Sequence, residues 1–270
     1  MLSLFMDYKQ NIILAPYTTV KIGGPAEYFI EVDSKRQLKE VLCDLSKIDP
    51  SLVTILGNGS NILISDKGIS GYVIKNNSHS IKLINNDQIE ADSGVQLAKL
   101  IEFSLENGLV GLESFAYIPS TLGGAITGNI HGTKFLFNDI IKSIDYHQSS
   151  NPIILSAIIQ LKKGDTLSAK KFIKELIIKK SESQPMNSLG CIFKNPSPQK
   201  PAGLIIDKEL KLKGYCIGDA KISEKHANFI ENIGNASASD YYSLIKLIQT
   251  KAKKELNIDL MLEIRLLGQI

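Results

Sequence analysis

Apolar residues recur along the first half of the chain with the spacing of short strands and, in two places, of amphipathic helices. Helical spacing over residues 33–47 and from Val95 to Asn107 predicts two helices, the second of which ends at Gly108. Short apolar runs predict strands at residues 28–32, 53–56, 62–64, 72–75, 81–84 and 89–91. Many strands with few helices indicate an α+β fold rather than a doubly wound sheet.

The second half of the chain follows a glycine-rich segment, residues 118–132, that is predicted as a loop. Beyond it the pattern predicts strands at 140–146 and 153–161, a helix at 168–180, a short helix at 202–207, strands near Tyr215 and Phe229, a helix at 241–256 and a closing strand at 260–267. The polar, proline-ended segment 181–185 is the clearest boundary signal. We assign a first domain to residues 1–165 and a second to residues 166–270.

Composition and charge exclude several classes of protein. Of the 270 residues, 43% are apolar and 22% charged, as in a globular chain with a core. The 31 basic residues exceed the 28 acidic ones by three and are spread along the chain, so no nucleic-acid partner is indicated. No uncharged apolar stretch reaches the roughly 18 residues that cross a bilayer, so no membrane insertion is expected.

The cysteines and the first residues bear on the compartment. Cys43, Cys191 and Cys216 are odd in number and far apart, which suits neither a disulfide framework nor a metal site and favours a reducing compartment. Residues 1–9 carry a short apolar patch without a basic segment or a cleavage site, so no export signal is predicted. We therefore expect a cytoplasmic protein, and a monomer.

Three glycine clusters lie within the first 130 residues, at Gly23-Gly24, Gly57-Asn58-Gly59 and Gly123-Gly124. Glycine allows positive φ and lets backbone amides approach a phosphate closely. The clusters lack both the Gly-Lys-Ser/Thr of a P-loop and the G-x-G-x-x-G of a Rossmann fold. Turn chemistry explains any one of them, whereas three together favour a bound dinucleotide or phosphate.

The segments around these glycines, and five more in the second half, resemble one family. Residues 19–26, 56–61, 111–113, 118–119 and 123–125 are similar to the FAD domain of UDP-N-acetylenolpyruvoylglucosamine reductases, also called UDP-N-acetylmuramate dehydrogenases. Their substrate domain is matched in order by GCIFKNP (190–196), AGLI (202–205), LKG (212–214), SEKHANF (223–229) and LEIR (262–265). The resemblance covers nearly the whole chain, and the SEKHANF and GxxFKNP segments are highly specific.

The resemblance implies both a fold and an activity. The fold is a two-part FAD-binding domain of the vanillyl-alcohol-oxidase/PCMH type, followed by a smaller α+β substrate-binding domain. The activity is an NADPH-dependent reduction, with non-covalent FAD, of UDP-N-acetylglucosamine enolpyruvate to UDP-N-acetylmuramate, a peptidoglycan precursor. The chain resembles the shorter form of the family, which lacks an extra substrate-capping loop.

The resemblance also implies the residues of the site. Cys191 stands at the proton-donor position, where many members have serine, and Glu263 stands at a second catalytic position near the substrate carboxylate. A thiol ordinarily has a pKa of about 8.5 and therefore donates a proton more readily than a hydroxyl. Substrate contacts are implied for Tyr146, Lys194, Asn195 and Glu224. FAD contacts are implied for Gly23, Gly57, Asn58, Gly59, Ser60, Asn61, Pro119, Ser120, Thr121, Gly123, Gly124 and Asn129.

The family's third catalytic residue, an arginine in a Tyr-Arg-x-Ser segment, has no direct counterpart. One alignment places Tyr146-His147-Gln148-Ser149 there, so that His147 replaces the arginine without its permanent charge or bidentate fork. In the other alignment the hairpin that carries the arginine is missing, because the segment from Gly124 to Ile153 is shorter than in typical members. Tyr146 and His147 are then ordinary strand residues, and the sequence leaves both alternatives open.

Two departures from the family pattern leave rival functions open. Ser120 stands where the family usually has glycine, and Asn129-Ile130-His131-Gly132 is similar to a loop of other FAD-linked oxidases. One rival is therefore another FAD-linked oxidoreductase with the same type of flavin domain. The other rival follows from the missing arginine and is a catalytically impaired homologue that binds the nucleotide sugar.

Overall fold

The computed structural model describes residues 7–133 and 135–270 and has an α+β architecture, as predicted. Its helices are α1 (Lys35–Asp44), α2 (Leu97–Glu106), α3 (Leu122–Gly128), α4 (Thr166–Ser183), α5 (Ala202–Leu204) and α6 (Ala238–Leu256). Its strands are β1 (Lys9–Ile13), β2 (Pro25–Val32), β3 (Val53–Leu56), β4 (Ile62–Ile64), β5 (Ile69–Asn76), β6 (Ile81–Asn85), β7 (Gln88–Asp92), β8 (Leu109–Val110), β9 (Ile141–His147), β10 (Ile153–Gln160), β11 (Lys162–Lys163), β12 (Cys216–Ile217), β13 (Ala220–Ile222), β14 (Ile230–Asn232) and β15 (Arg265–Leu267). The predicted absence of an export signal rests largely on residues 1–6, which lie outside the described residues.

The described chain divides into two compact units, each assembled from three separate segments. The first contains residues 7–10, Tyr28–Asn58 and Gly71–Lys180, and the second contains Asn11–Glu27, Gly59–Ser70 and Ser181–Ile270. The assignment of domains to residues 1–165 and 166–270 stays a prediction. Within the described residues, no helix combines the length and the apolar character needed to cross a membrane.

The first unit contains the larger part of one four-stranded sheet and the whole of another. One has the order β1-β2-β5-β3, with β3 and β5 parallel and Leu56 beside Lys75. The other has the order β6-β7-β10-β9 and is antiparallel throughout. Helix α1 begins at Ser34, whose hydroxyl accepts a hydrogen bond from the Gln37 N–H, and buries Leu38 against the first sheet's residues. Helices α2 and α3 share a second apolar core with β7 and β10.

The second unit is held together by α6. The antiparallel sheet β12-β13-β14 and the parallel pair β15-β4 share one apolar core with this helix, including the fully buried Tyr241. Helix α6 begins at Ser237, which forms a capping box with Asp240. The carboxylate of Asp66 also accepts the N–H groups of Ala238 and Ser239, at 2.7 and 2.9 Å, so three acceptor side chains cover this helix start.

Two predicted elements were wrong in part. Residues 260–267 were predicted as one strand, but only β15 is a strand, because residues 261–263 pair irregularly with the chain around Phe193. Residues 118–132 were predicted as a loop but contain α3, which begins at Thr121. Three glycines disfavour a helix there, yet the cap and the burial of Leu122 and Ala125 outweigh that propensity.

Candidate active site

The glycine turn after β3 packs closely against residues 119–121 of the first unit. A Cβ on Gly57 would lie only 2.7 Å from Thr121 Oγ1, so a larger residue would push these two segments apart. Asn58 Nδ2 donates a hydrogen bond to the carbonyl of Pro119 at 3.4 Å. Of the predicted FAD contacts, Gly57, Asn58, Pro119 and Thr121 therefore come together in one place.

Helix α3 carries the other predicted FAD contacts of the first unit. Thr121 Oγ1 accepts the Gly124 N–H at 3.3 Å, and the Gly123 N–H donates to the Ser93 carbonyl at 2.8 Å. Ser120 is buried, and its hydroxyl donates to the Thr121 carbonyl at 3.0 Å. Asn129 lies at the far end of the helix, where its φ of 39° ends α3 and its side-chain oxygen accepts the Asn138 N–H.

A cavity of about 360 Å³ opens in the first unit beside Asn58. Its lining is polar and basic and consists of Asn58, Lys75, Asn76, Asn77, His79, Gly94, Val95, Gln96 and Lys99. Lys75 is half-buried and donates from Nζ to the Gly57 carbonyl at 2.6 Å. Burial lowers the pKa of its ammonium group below the ordinary value, and the nearby Glu31 opposes this effect. Ammonium and amide donors beside a glycine turn suit the phosphates of a dinucleotide.

Lys75 was missed by the sequence analysis. Its signal was a charged residue at the end of an otherwise apolar strand, followed by Asn76 and Asn77. That signal becomes meaningful only with the sheet order, because the parallel pairing of β5 with β3 places Lys75 beside Leu56 and hence next to Gly57.

The glycines of the second unit allow tight contacts between backbone segments. Gly59 has a φ of +59°, and a Cβ there would lie 2.5 Å from the Tyr17 carbonyl oxygen. Its own carbonyl accepts the Thr19 N–H at 3.2 Å. Gly23 has a φ of +155°, which glycine adopts far more readily than other residues. Ser60 is half-buried between Gly59 and the exposed Asn61.

Cys191 and Glu263 lie on neighbouring backbone segments of the second unit. The Glu263 N–H donates to the Ile192 carbonyl at 2.8 Å, and the Lys194 N–H donates to the Met261 carbonyl at 2.9 Å. Asn61 supports the same place, because its Nδ2 donates to the Glu263 carbonyl at 3.3 Å. The structure thus brings the two predicted catalytic residues of this unit onto one pair of hydrogen-bonded segments.

The carboxyl group of Glu263 has an altered proton affinity. The residue as a whole is exposed, but the protein around its carboxyl group desolvates it and raises its pKa above the ordinary value, and Lys194 opposes this shift. A raised pKa keeps the carboxyl protonated to higher pH than that of a fully solvated glutamate. The group is therefore suited to donate a hydrogen bond or a proton.

The predicted substrate contacts of the second unit lie near the surface. Lys194 and Asn195 are exposed, and Asn195 Oδ1 accepts the Ala202 N–H at 3.0 Å at the start of α5. Glu224 is exposed and forms an ion pair with Lys221 at 3.4 Å. These side chains therefore offer a cation, an amide and a carboxylate to a ligand.

Tyr146 and His147 end strand β9 in the first unit, opposite Ile154 and Ile153 of β10. Cys191 belongs to the second unit. The structure thus places Tyr146 and His147 at the end of a paired strand, next to a shift in register between Ile154 and Ser156, and both alignments of the family's arginine stay open.

Asn228 was also missed as a site residue, although it lies in the specific SEKHANF segment. It is 2% exposed, and its carboxamide forms two hydrogen bonds with the backbone of Phe193. His226 Nδ1 accepts the Asn228 N–H at 3.2 Å, so this histidine shapes the turn before it. The signal was a carboxamide between Ala227 and Phe229, two apolar residues that predict burial.

Two family models match the chain. The one described as an FAD binding domain matches residues 26–147. The one described as UDP-N-acetylenolpyruvoylglucosamine reductase, C-terminal domain, matches residues 182–267.

Curated relatives and a solved structure match nearly the whole length. The UDP-N-acetylenolpyruvoylglucosamine reductase of Carboxydothermus hydrogenoformans is 36% identical, over 96% of this chain and 94% of its own. That of Clostridium novyi is 32% identical, over 97% and 93% respectively. The crystal structure of the Thermus caldophilus reductase superposes with a TM-score of 0.82 at 28% identity, and covers 98% of this chain and 100% of that one.

Proposed function

The chain belongs to the UDP-N-acetylenolpyruvoylglucosamine reductase family, as its motifs predicted, and we propose that it reduces UDP-N-acetylglucosamine enolpyruvate to UDP-N-acetylmuramate with NADPH. It is an FAD-dependent oxidoreductase, like the members of this family. The observation that carries the proposal is the pairing of the Cys191 and Glu263 segments, which offers two proton-bearing groups in the unit that matches the family's C-terminal domain.

The reaction makes two physical demands on the protein. An enol ether resists hydride, so its carboxylate must be polarised to accept the negative charge that develops. A proton donor must then reach the neighbouring carbon. When FAD is bound, the chemistry it supplies is the transfer of a hydride from NADPH to the enolpyruvyl double bond.

The residues of the second unit meet these demands in separate roles. Cys191 donates the proton from Sγ to the substrate carbon. Glu263, whose partly desolvated carboxyl group has a raised pKa, binds near the substrate carboxylate, and Lys194 adds positive charge there. Asn195 and Glu224 supply further substrate contacts, and we propose Tyr146 of the first unit as another. His147 either takes the arginine's role or is an ordinary strand residue.

The residues of the first unit suit FAD. The cavity at Asn58 offers the Lys75 and Lys99 ammonium groups to phosphate oxygens, and the Gly57 turn lets backbone approach a ligand closely. We therefore propose that Gly57, Asn58 and Lys75 hold FAD without a covalent bond. The remaining contacts that we propose are Pro119, Ser120, Thr121, Gly123, Gly124 and Asn129 of the first unit and Gly23, Gly59, Ser60 and Asn61 of the second.

We further propose that the protein works as a cytoplasmic monomer in the synthesis of a peptidoglycan precursor. Its proposed substrate and reductant, a UDP-linked sugar and NADPH, are small molecules of that compartment. No nucleic acid, membrane or metal enters the reaction.

The two half-reactions test the proposed activity separately. Anaerobic NADPH should bleach the flavin absorbance of the purified protein, and one equivalent of UDP-N-acetylglucosamine enolpyruvate should restore it, with a product two mass units heavier. UDP-N-acetylglucosamine, which lacks the double bond, is the control and should restore nothing.

The rivals give different results in the same experiment. Normal binding of the UDP-sugar with no recovery of absorbance would favour the impaired homologue. Turnover of unrelated alcohols or enol ethers, with none of the UDP-linked substrate, would favour another flavin oxidoreductase.

Replacing Lys75 by methionine should weaken FAD binding by about 10- to 100-fold, because a hydrogen bond to a charged partner contributes about 1.5–3 kcal/mol. Titration of the deflavinated protein with FAD, followed by flavin fluorescence, measures this change. Lys82→Met on the exposed face of β6 is the matched control and should bind FAD as the unaltered protein does. Equal affinity in both variants would remove Lys75 from the FAD site.

A further inference from the structure

The segment that carries Cys191 is fixed from two sides within the second unit. On one side residues 261–263 pair with it, through the Glu263 N–H and the Met261 carbonyl. On the other side the Ile192 N–H donates to the Asn228 carbonyl at 2.8 Å. Gly190, just before Cys191, has a φ of +79° and no atom within 4 Å of an added Cβ, so packing there does not restrain the segment.

The side chain of Asn228 forms the two backbone hydrogen bonds with Phe193 that a neighbouring strand would form in a sheet. Both backbone polar atoms of Phe193 face its carboxamide, with the Phe193 N–H donating to Oδ1 at 3.0 Å and Nδ2 donating to the Phe193 carbonyl at 2.8 Å. A carboxamide is the side-chain group that offers one donor and one acceptor in this arrangement. Asn228 and Phe193 are 2% and 0% exposed, so water cannot take over either hydrogen bond.

We propose that Asn228 is a positioning residue that sets the place of Cys191 and Lys194 through the backbone of Phe193. Phe193 lies two residues after Cys191 and one before Lys194, so a shift of its peptide groups moves both. The proposal rests on the function proposed above, because the placement matters most in the step in which Cys191 gives up its proton. A displacement of about 1 Å can slow such a step 10²-fold.

Asn232 provides a matched control in the same unit. It is also buried, its Nδ2 donates to the Val20 carbonyl at 2.9 Å, and its Oδ1 accepts the N–H groups of Gly234 and Ala236. Asn228→Asp and Asn232→Asp therefore each remove one donated backbone hydrogen bond of nearly equal length. The two variants differ in the segment that loses the hydrogen bond. In N228D it is the segment of Cys191 and Phe193, and in N232D it is the segment of Val20.

The experiment measures both half-reactions in the two variants. In N228D, flavin reduction by NADPH should stay within about twofold of the unaltered protein, and reoxidation by UDP-N-acetylglucosamine enolpyruvate should slow about 10- to 100-fold. In N232D both rates should stay near those of the unaltered protein, even if its melting temperature falls as much as that of N228D. Unaltered reoxidation in N228D, or equal losses in both variants, would overturn the proposal.

A second measurement does not depend on turnover. Iodoacetamide should alkylate Cys191 at a rate at least about threefold different in N228D, with the exposed Cys43 and Cys216 as internal references. N232D should show no such change, and an unchanged Cys191 rate in N228D would contradict the proposal. If N228D does not fold, Asn228→Ser takes its place with the same expected and contrary results. Failure of the unaltered protein to reoxidise would instead refute the proposed activity and leave the alkylation test valid.

Discussion

Replacing Cys191 by alanine should leave flavin reduction by NADPH intact and slow reoxidation by the enolpyruvyl substrate by about 10²- to 10⁴-fold, the usual effect of losing a general acid. The carbon next to the site of hydride addition becomes negative and must be protonated, and alanine has no proton to give. The side chain is half-buried on a segment paired with Glu263, so water has restricted access to replace it. Stopped-flow absorbance of the flavin measures each half-reaction separately.

Cys191→Ser is the control for this variant. Serine has nearly the same size and also carries an acidic hydrogen, so C191S should retain substantial turnover while C191A does not. Both variants lack the sulfur atom, but only C191S keeps a proton that it can donate. A difference in rate between them therefore reports the loss of the proton and not the loss of the sulfur's packing contacts. Full activity in C191A would mean that Cys191 is a small packed side chain and that another group protonates the substrate.

Glu263→Gln should slow reoxidation by about 10²-fold or more, with little effect on reduction by NADPH, because it removes a proton-bearing group that acts mainly in the transition state. Desolvation by the surrounding protein raises the pKa of this carboxyl, so its protonated form persists to higher pH than that of a fully solvated glutamate. Reoxidation by the unaltered protein should therefore decline as pH rises through that raised pKa. In E263Q this decline should disappear.

The raised pKa of Glu263 also predicts how E263Q affects the stability of the protein, which serves as a control for the rate measurement. A carboxyl whose pKa is higher in the folded than in the unfolded state loses stabilisation as pH rises between the two values. Glutamine cannot ionise, so the melting temperature of E263Q at neutral pH should equal or exceed that of the unaltered protein. Equal slowing of both half-reactions together with a lower melting temperature would assign Glu263 to the packing of its segment and not to the reaction.

Regular elements could be predicted from the sequence because their apolar spacing is local. Strand β3 was predicted at the residues where it lies, and α6 was predicted from its apolar face. Residues 260–264 could not be predicted correctly, since their partner is an irregular segment about 70 residues earlier that periodicity does not reveal. The glycines of α3 gave its sequence the pattern of a loop, and the signal for a helix was Thr121, a residue type that is favoured at the N-cap.

Site residues could be predicted from the sequence where the type of side chain alone determines what the residue can do chemically. A cysteine and a glutamate in specific motifs could be named as proton-bearing groups. Lys75 and Asn228 could not, because their roles come from neighbours that the sheet order and a turn bring to them. From the sequence alone, Lys75 is a lysine at the end of a strand and Asn228 is an asparagine in a turn. Their roles follow only from the structure, which places Lys75 beside Gly57 and Asn228 beside Phe193.

The interleaving of the two units along the chain has a consequence for synthesis on the ribosome. The core of the second unit joins Val20, Ile22 and Leu63 to side chains between Leu189 and Ile264. These three apolar residues emerge early, and their partners are translated only after the rest of the first unit. The nascent chain therefore presents unmatched apolar surface until the residues after Leu189 are made, and such surface favours aggregation of incomplete chains. Residues 181–270 made alone would lack β4 beside β15 and the core side chains Val20, Ile22 and Leu63, so we expect this fragment to be less stable than the same residues in the whole chain.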